Sequence, residues 1–489
     1  MESDPRALRI LALNTIAFTV CFAVWTMYGV LVTFLVDHGY LQIDKAQMGW
    51  LIGIPILTGS LMRLPLGLLT DRLGGKPVFI GVMVFAALSL FFTSQVSTFG
   101  GFLLGGLLFG VSGASFAVGI AYSSVFFPRE RQGTALGVFG VGNAGAALTT
   151  LLAPTLLKRF TDGGENIEGW RTLPIVYGFV LLAMAGLFLL LTVNKRPPTA
   201  GTQSLARMLQ PLRDIRVWRF GLYYFIVFGA FVALAQWLVP YYLNVYAMSL
   251  ATAGFLVSIF SLPSGVIRAL GGWISDRFGA RATMYWVLTS CAVCFILLLA
   301  PRMEIRSPGE GVMADKAGTV TAVAPDRIQL NGTAIPLKVE EPLDAAVLEE
   351  GVFVFPIVRS WQEPAVEVGQ EVKKKEVIAR GVTHVYFQAN VWIFTALVFV
   401  AGIMMGIGKA AVYKHIPEYF PSAVGVVGGL VGVLGGLGGF VCPILFGYML
   451  RATGLWTSCW LFLAVVTIIS LVWMHMVILR MTKGQTSPR

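Results

Sequence analysis

TGSLMRLPLGLLTDRLGGK, residues 58–76, and PSGVIRALGGWISDRFGAR, residues 263–281, are two copies of one segment set 205 positions apart. Arg63 falls on Arg268, Gly67 on Gly272, Asp71 on Asp276, Arg72 on Arg277 and Gly74 on Gly279, and each copy closes on a cation, Lys76 or Arg281. Ser112–Pro128 superposes on Met405–Pro421 in the same manner, matching Gly113 with Gly406 and the Phe-Pro pairs at 127–128 and 420–421. Two related halves in tandem are the arrangement of carriers that rock about a central site.

The chain around these copies is too apolar for water. Of its 489 residues 56% are hydrophobic and only 12% charged, against roughly 25% charged in an average globular chain, and the mean hydropathy is +0.76. The 55 glycines lie mostly inside apolar runs, as expected where helices in lipid approach through small residues. Twelve apolar stretches, near 9–36, 47–69, 77–97, 99–126, 133–157, 171–193, 218–246, 251–274, 282–300, 388–412, 422–449 and 455–479, reach the length of about 20 residues that spans a bilayer. The expected fold is therefore an all-α membrane protein of twelve transmembrane helices in two six-helix halves. Residues 1–194 form the first half, 195–217 a connector with Pro197, Pro198 and Pro211, and 218–489 the second half.

Composition excludes other classes. The net charge of +11 is scattered between spans and forms no continuous stripe, so no nucleic-acid partner is expected. All five cysteines (Cys21, Cys291, Cys294, Cys442 and Cys459) fall in apolar segments. The Cys291-x2-Cys294 pair has no further ligand nearby, so the cysteines are read as packing residues, with neither metal nor cofactor. No nucleophile, base and acid occur together at a spacing that suggests an enzyme.

An even number of spans puts both termini on one side. Eighteen cations, from Arg6 to Arg489, lie on that side, whereas the short loops opposite carry five: Lys45, Lys158, Arg159, Arg171 and Arg451. Cytoplasmic loops carry the excess of lysine and arginine, so both termini are expected in the cytoplasm. The first apolar run is too long for a cleavable leader, and a bacterial inner membrane is the expected location.

One segment is of another kind. Residues 301–386, between spans nine and ten, hold thirteen acidic and ten basic residues. Gly318–Val323 and Val366–Val372, the latter running on to Val377–Ala379, alternate like strands. They predict a small inserted extracytoplasmic β domain that resembles half of a biotinyl/lipoyl module without its lysine. Asn331-Gly-Thr333 is a glycosylation sequon by letter alone.

Arg63 and Arg268 each stand eight residues before a loop aspartate, which on a helix is about 12 Å into the membrane. An arginine there costs at least ~2.5–3.5 kcal/mol. Snorkelling excuses one such residue near a helix end, but not readily two at matched positions. No aspartate or glutamate lies within the spans away from their ends. The missing negative charge then falls to the substrate, and a planar guanidinium suits a trigonal oxyanion such as nitrate, nitrite or a carboxylate. The competing reading is a structural role in capping backbone carbonyls.

The motif Gly67-x3-Asp71-Arg72-x-Gly74-x-Lys76 resembles the loop signature of the major facilitator superfamily, and the likeness extends along the chain apart from the insertion. In that reading Asp71, Arg72, Asp276 and Arg277 are gating residues, which pair with the neighbouring half. Within the superfamily the chain resembles the nitrate/nitrite porter family, whose arginines in spans two and eight clamp nitrate, and Arg63 and Arg268 match them. Gly137-x2-Gly140-x-Gly142-Asn143-x-Gly145 resembles that family's glycine-rich signature, with a counterpart from Gly425 to Gly439 in span eleven. The resemblance implies that Gly142 and Asn143 adjoin the anion, that Tyr224 hydrogen-bonds it, that Phe228 walls the pocket and that Phe116 covers it. Span one, with Phe22-Ala-Val-Trp25, supplies no site residue.

Gly406-Ile-Gly408-Lys409 departs from the branch that exchanges nitrate for nitrite and resembles the branch proposed to carry nitrate with protons. By the internal repeat Lys409 is the mate of Phe116 and is expected to face the same pocket, where an arriving anion favours the charged lysine and so couples proton uptake to binding. The expected function is nitrate/proton symport by a monomer in the lipid bilayer, its partners being nitrate or nitrite and protons. The alternatives are nitrate/nitrite antiport, transport of a phosphate ester or organic anion, and a nitrate receptor.

Overall fold

The computed structural model describes residues 6–127, 129–196, 209–420 and 424–485. Pro128 and Pro421 of the second repeat, residues 197–208 of the connector and the terminal cation Arg489 lie outside the described residues.

Among the described residues, eleven helical segments and one pair bent by more than 40° are long and apolar enough to cross a membrane. They are α1 (Ala7–Asp37), α2 (Lys45–Leu73), α3 (Gly75–Thr93), α4 (Phe99–Ser124), α5 (Ala135–Phe160) and α6 (Ile167–Leu191) in the first half. The second half has α7 (Ile215–Tyr246), α8 (Leu250–Val266 with Arg268–Phe278, bent by 46°), α9 (Ala280–Leu297), α10 (Val391–Ile416), α11 (Val426–Thr453) and α12 (Ser458–Arg480). The expected fold class is thus the observed one. The outer helices α6 and α12 expose Leu190, Phe179, Ile469 and Val472, whereas α7 is the most buried span. That is the gradient of a bundle solvated by lipid.

The repeat survives in the backbone. α2 breaks at Met62 and α8 at Ile267, so that Arg63 and Arg268 are each the first residue of the second helical piece. Pro65 cannot donate to the carbonyl of Leu61, and Pro263 stands one turn before the bend in α8; proline-linked breaks of this kind kink helices. Both copies end at a glycine in the left-handed region, Gly74 at φ +91° and Gly279 at φ +85°, where a side chain would be strained.

Contact between the halves is tight at the end of the bundle away from the termini. A Cβ on Gly53 of α2 would lie 2.7 Å from the Phe440 carbonyl oxygen of α11, and one on Gly447 would run into the Lys45 carbonyl. Asp44 accepts from Arg451 at 3.0 Å, and Lys45 lies 3.4 Å from Asn244. Toward the end that bears the termini the same pair of helices parts. A Cβ on Gly429 would meet nothing nearer than Leu64 at 3.9 Å.

Residues 300–396 cluster as a separate compact unit. It contains β1 (Met303–Met313), β2 (Gly318–Ala324), β3 (Arg327–Leu330), β4 (Thr333–Pro336), β5 (Ile357–Pro364), β6 (Glu371–Val372) and β7 (Val377–Phe387). The strands form two antiparallel sheets, ordered β1-β7-β5 and β4-β3-β2-β6. Val320, Ile328, Val372 and Ile378 centre a small core. The strand expected over Val366–Val372 is corrected: only Glu371 and Val372 pair, because Glu367 and Gln370 bond each other around a turn with Gly369 at φ +89°. The Asn331 side chain accepts from the Thr319 amide at 2.9 Å within the β3–β4 turn.

Overpacking a close helix contact costs about 1–3 kcal/mol. Gly53→Leu is accordingly expected to prop α2 and α11 apart and abolish uptake into proteoliposomes. Gly429→Ala is expected to transport at nearly the wild-type rate.

Candidate functional site

Four aromatic rings frame the two arginines. The Arg63 guanidinium carbon lies 5.1 Å from the ring centre of Phe228, 5.3 Å from Phe116 and 5.6 Å from Trp25. That of Arg268 lies 5.4 Å from Phe116 and 5.8 Å from Tyr413. Phe116 therefore touches both cations, one from each half. Phe116 stacks in turn on Phe228 and Phe139, and Tyr224 stacks on Phe228 at 5.0 Å. The negative faces of such rings are favourable neighbours for a guanidinium, yet they supply no formal charge.

Arg63 is 97% buried, and only one of its donors is satisfied: Nη1 donates to the Gly432 carbonyl of the other half at 2.7 Å, while Nε and Nη2 find no partner. The capping role is real but partial. The Nη1 of half-buried Arg268 is also unpartnered, as are the Tyr224 hydroxyl, the Ser60 hydroxyl one turn before Arg63, and both amide atoms of Asn143. Buried polar groups are ordinarily hydrogen-bonded. A concentration of orphan donors at two arginines is the imprint of an absent acceptor. Among the described residues no aspartate or glutamate is buried, although Arg63, Arg219 and Lys409 are.

Local backbone irregularity points these side chains inward. Tyr224 ends an α-helical stretch and Phe228 lies in the π-helical turn Phe225–Ala230 of α7, a form of bulge frequent at functional sites. Gly142 and Asn143 occupy the 3-10 turn Val141–Ala144 within α5. Gly142 is covered by the Phe18 ring, and the backbone next to Asn143 adjoins Gly265 of α8, three residues before Arg268. The Arg268 side chain crosses Gly140, where a Cβ would stand 3.2 Å from its Cδ. The glycine-rich signature thus seats an arginine of the other half, with Gly142 itself packed against an aromatic ring.

Lys409 is completely buried. Its ammonium donates to Ser264 Oγ at 3.3 Å and lies 3.1 Å from the centre of the Phe231 ring. Both contacts are in its own half, whereas its repeat mate Phe116 lies between the arginines.

The four gating candidates make no ion pair across the halves. Asp276 pairs with Lys414 at 2.5 Å within its own half, and Arg277 lies over Trp273 and Phe278. No ion pair involves Asp71 or Arg72 among the described residues. The cross-half pair is Asp44–Arg451 at the opposite end.

Sequence reasoning passed over Trp25, Tyr413 and Ser60. Tyr413 stands one turn after Lys409, donates to the Gly428 carbonyl at 3.1 Å and meets Tyr224 edge-on. Its spacing from Lys409 was the available signal, and Ser60 had the same signal from Arg63. Trp25 had none. Its indole N–H donates to the Pro55 carbonyl at 2.8 Å, a contact fixed only when α1 packs on α2.

Chemically, two permanent cations, unpartnered N–H and O–H donors and aromatic ring faces meet here. The family model for the Major Facilitator Superfamily matches residues 14–306. A "Probable nitrate/nitrite antiporter NarK1" of Thermus thermophilus is 38% identical over 99% of this chain and 94% of its own length. The "Nitrite extrusion protein" of Bacillus subtilis (strain 168) is 22% identical over 95% and 94%, and a "Probable nitrate transporter NarT" of Staphylococcus epidermidis 24% over 95% of both. In fold, a bacterial homologue of the human lysosomal transporter Spinster, in an inward-facing and occupied conformation, aligns over 100% of both chains with a TM-score of 0.63 at 14% identity. From its repeat, its twelve spans and these relatives together, the chain belongs to the nitrate/nitrite porter family of the major facilitator superfamily and is a membrane transport protein, not an enzyme.

Proposed function

We propose that this protein carries nitrate, and nitrite as a close analogue, across the bacterial inner membrane by alternating access, with Arg63 and Arg268 as the clamp. The observation that carries the reading is that, among the described residues, no buried carboxylate accompanies two guanidiniums that retain free N–H groups. A trigonal monoanion offers acceptors in the plane of each guanidinium. It also fits between ring faces, which a tetrahedral phosphate ester fills poorly. Tyr224 and Asn143 add neutral donors, Phe116 and Phe228 the walls, and Gly142 the close packing that holds the α5 turn. The names of the relatives, a nitrate/nitrite antiporter and nitrate transporters, support the same substrate.

In this reading both termini are cytoplasmic, the bundle is described with its cytoplasmic side parted, and the insert of 301–386 lies outside the cell. Asp71, Arg72, Asp276 and Arg277 gate the cytoplasmic side by pairing when it closes, while Asp44–Arg451 holds the external side. The proposed coupling is symport with protons by a monomer. Lys409, sealed against Ser264 and Phe231, is the coupling group. One observation favours nitrate/nitrite exchange instead, the description of the 38% identical relative as a probable antiporter.

A hydrogen bond to a charged group contributes about 1.5–3 kcal/mol. Arg63→Lys and Arg268→Lys are therefore expected to weaken nitrate binding by roughly tenfold or more each, read by titration calorimetry and uptake into proteoliposomes. Wild-type affinity in either variant overturns the clamp. An inward proton gradient is expected to drive uptake without internal nitrite, and Lys409→Ala to lose the pH dependence of that uptake. A strict requirement for internal nitrite establishes exchange. Deletion of 301–386 is expected to leave uptake intact; loss of signalling with uptake unchanged would identify a receptor role.

A further inference from the structure

At the end of the bundle that bears the termini, three arginines converge on one tyrosine. Arg281, in the first turn of α9, donates from Nη2 to the Tyr419 hydroxyl at 2.8 Å. The guanidinium carbons of Arg216, Arg219 and Arg281 lie 5.7, 6.0 and 6.0 Å from the centre of the Tyr419 ring. The cluster joins the start of α7, the start of α9 and the helical turn that continues α10.

Its charge is left over. Asp214 accepts from the Arg216 backbone amide, and Asp276 is taken by Lys414. Glu418 approaches only His415, at 3.8 Å. Among the described residues none of the three arginines has a carboxylate partner.

The inner face of the cluster carries unmet donors as well. Arg219 is 93% buried with Nε unpartnered, His415 is 97% buried with neither ring nitrogen bonded, and the buried Tyr223 hydroxyl is free. The His415 ring is held flat against Phe220 at 5.5 Å. Around this centre Ile215, Trp218, Phe278 and Trp286 are about half exposed or more. Large apolar and tryptophan side chains of that kind settle at the level of lipid headgroups.

We propose that Arg216, Arg219, Arg281 and Tyr419 form a binding site for the phosphate of an anionic phospholipid in the leaflet on the side of the termini. Arg281 and Arg216 are exposed and grip the phosphate oxygens, Arg219 supplies charge from beneath, and the tryptophan rim receives the acyl chains. Basic pockets between transmembrane helices select acidic headgroups in this manner. The bound lipid would tie α7, α9 and α10 together at the side where the halves part, apart from the anion chamber at Arg63 and Arg268.

Native mass spectrometry of the purified full-length protein tests the site, with added phosphatidylglycerol or phosphatidylcholine. Phosphatidylglycerol is expected to be retained preferentially, with affinity falling about fivefold for each arginine removed in R216Q and R281Q, and phosphatidylcholine retention unchanged. Both arginines are exposed, so these variants are expected to fold; R219Q serves as the buried counterpart, judged by its monodispersity. Equal phosphatidylglycerol retention in wild type and R216Q/R281Q overturns the proposal. Inorganic phosphate provides the second arm. A thermal shift produced by millimolar phosphate and lost in R216Q/R281Q, without preference for phosphatidylglycerol, assigns the site to free phosphate and overturns its lipid part.

Discussion

Two guanidinium groups without a counter-ion govern the arrangement of this molecule. A charge removed from water needs a partner, and the interior provides only ring faces, one backbone carbonyl from Gly432 and neutral hydroxyl and amide groups. The aromatic walls soften the cost without neutralising it, and in the proposed reading the negative charge comes from the transported anion. Arg63 belongs to one half and Arg268 to the other, so an anion clamped as proposed would bridge the two halves.

The helix breaks at Met62 and Ile267 make that arrangement possible. Each arginine starts a new helical piece and leaves the kink directed at the centre, while Gly74 and Gly279 end the two pieces in matching left-handed turns. Along α2 and α11 the glycines permit backbone contact at one end and leave space at the other. Small residues confer close approach without fixed interlocking, which suits surfaces that must separate and rejoin.

The halves are related but not equivalent. Phe116 and Lys409 occupy matched positions, yet Phe116 lies between both arginines and Lys409 is sealed against Ser264 and Phe231. An exact copy would place either two rings or two more cations at the centre. Divergence at this one pair gives the first half an aromatic ring beside both arginines and the second a buried ionisable group. The proposed coupling to protons has its physical basis in that asymmetry.

Sequence alone determined what depends on composition, period and repetition. Twelve spans, the tandem halves, the matched arginines and the absence of buried acid were all legible, since lipid demands long apolar helices and penalises each charge within them. Tyr224, Phe228 and Phe116 were placed by family resemblance, not by spacing. What the tertiary structure alone decided were contacts between elements distant in the chain. Examples are Trp25 against Arg63, Gly140 beneath Arg268, the turn of Lys409 toward Phe231 and the Asp44–Arg451 pair. The Val366–Gln370 turn belongs with them, for an alternating pattern does not distinguish a strand from a loop that enters the core at Val366 alone. Helix period fixes which side of a helix a residue occupies; which neighbour it meets there is set by how the twelve helices pack.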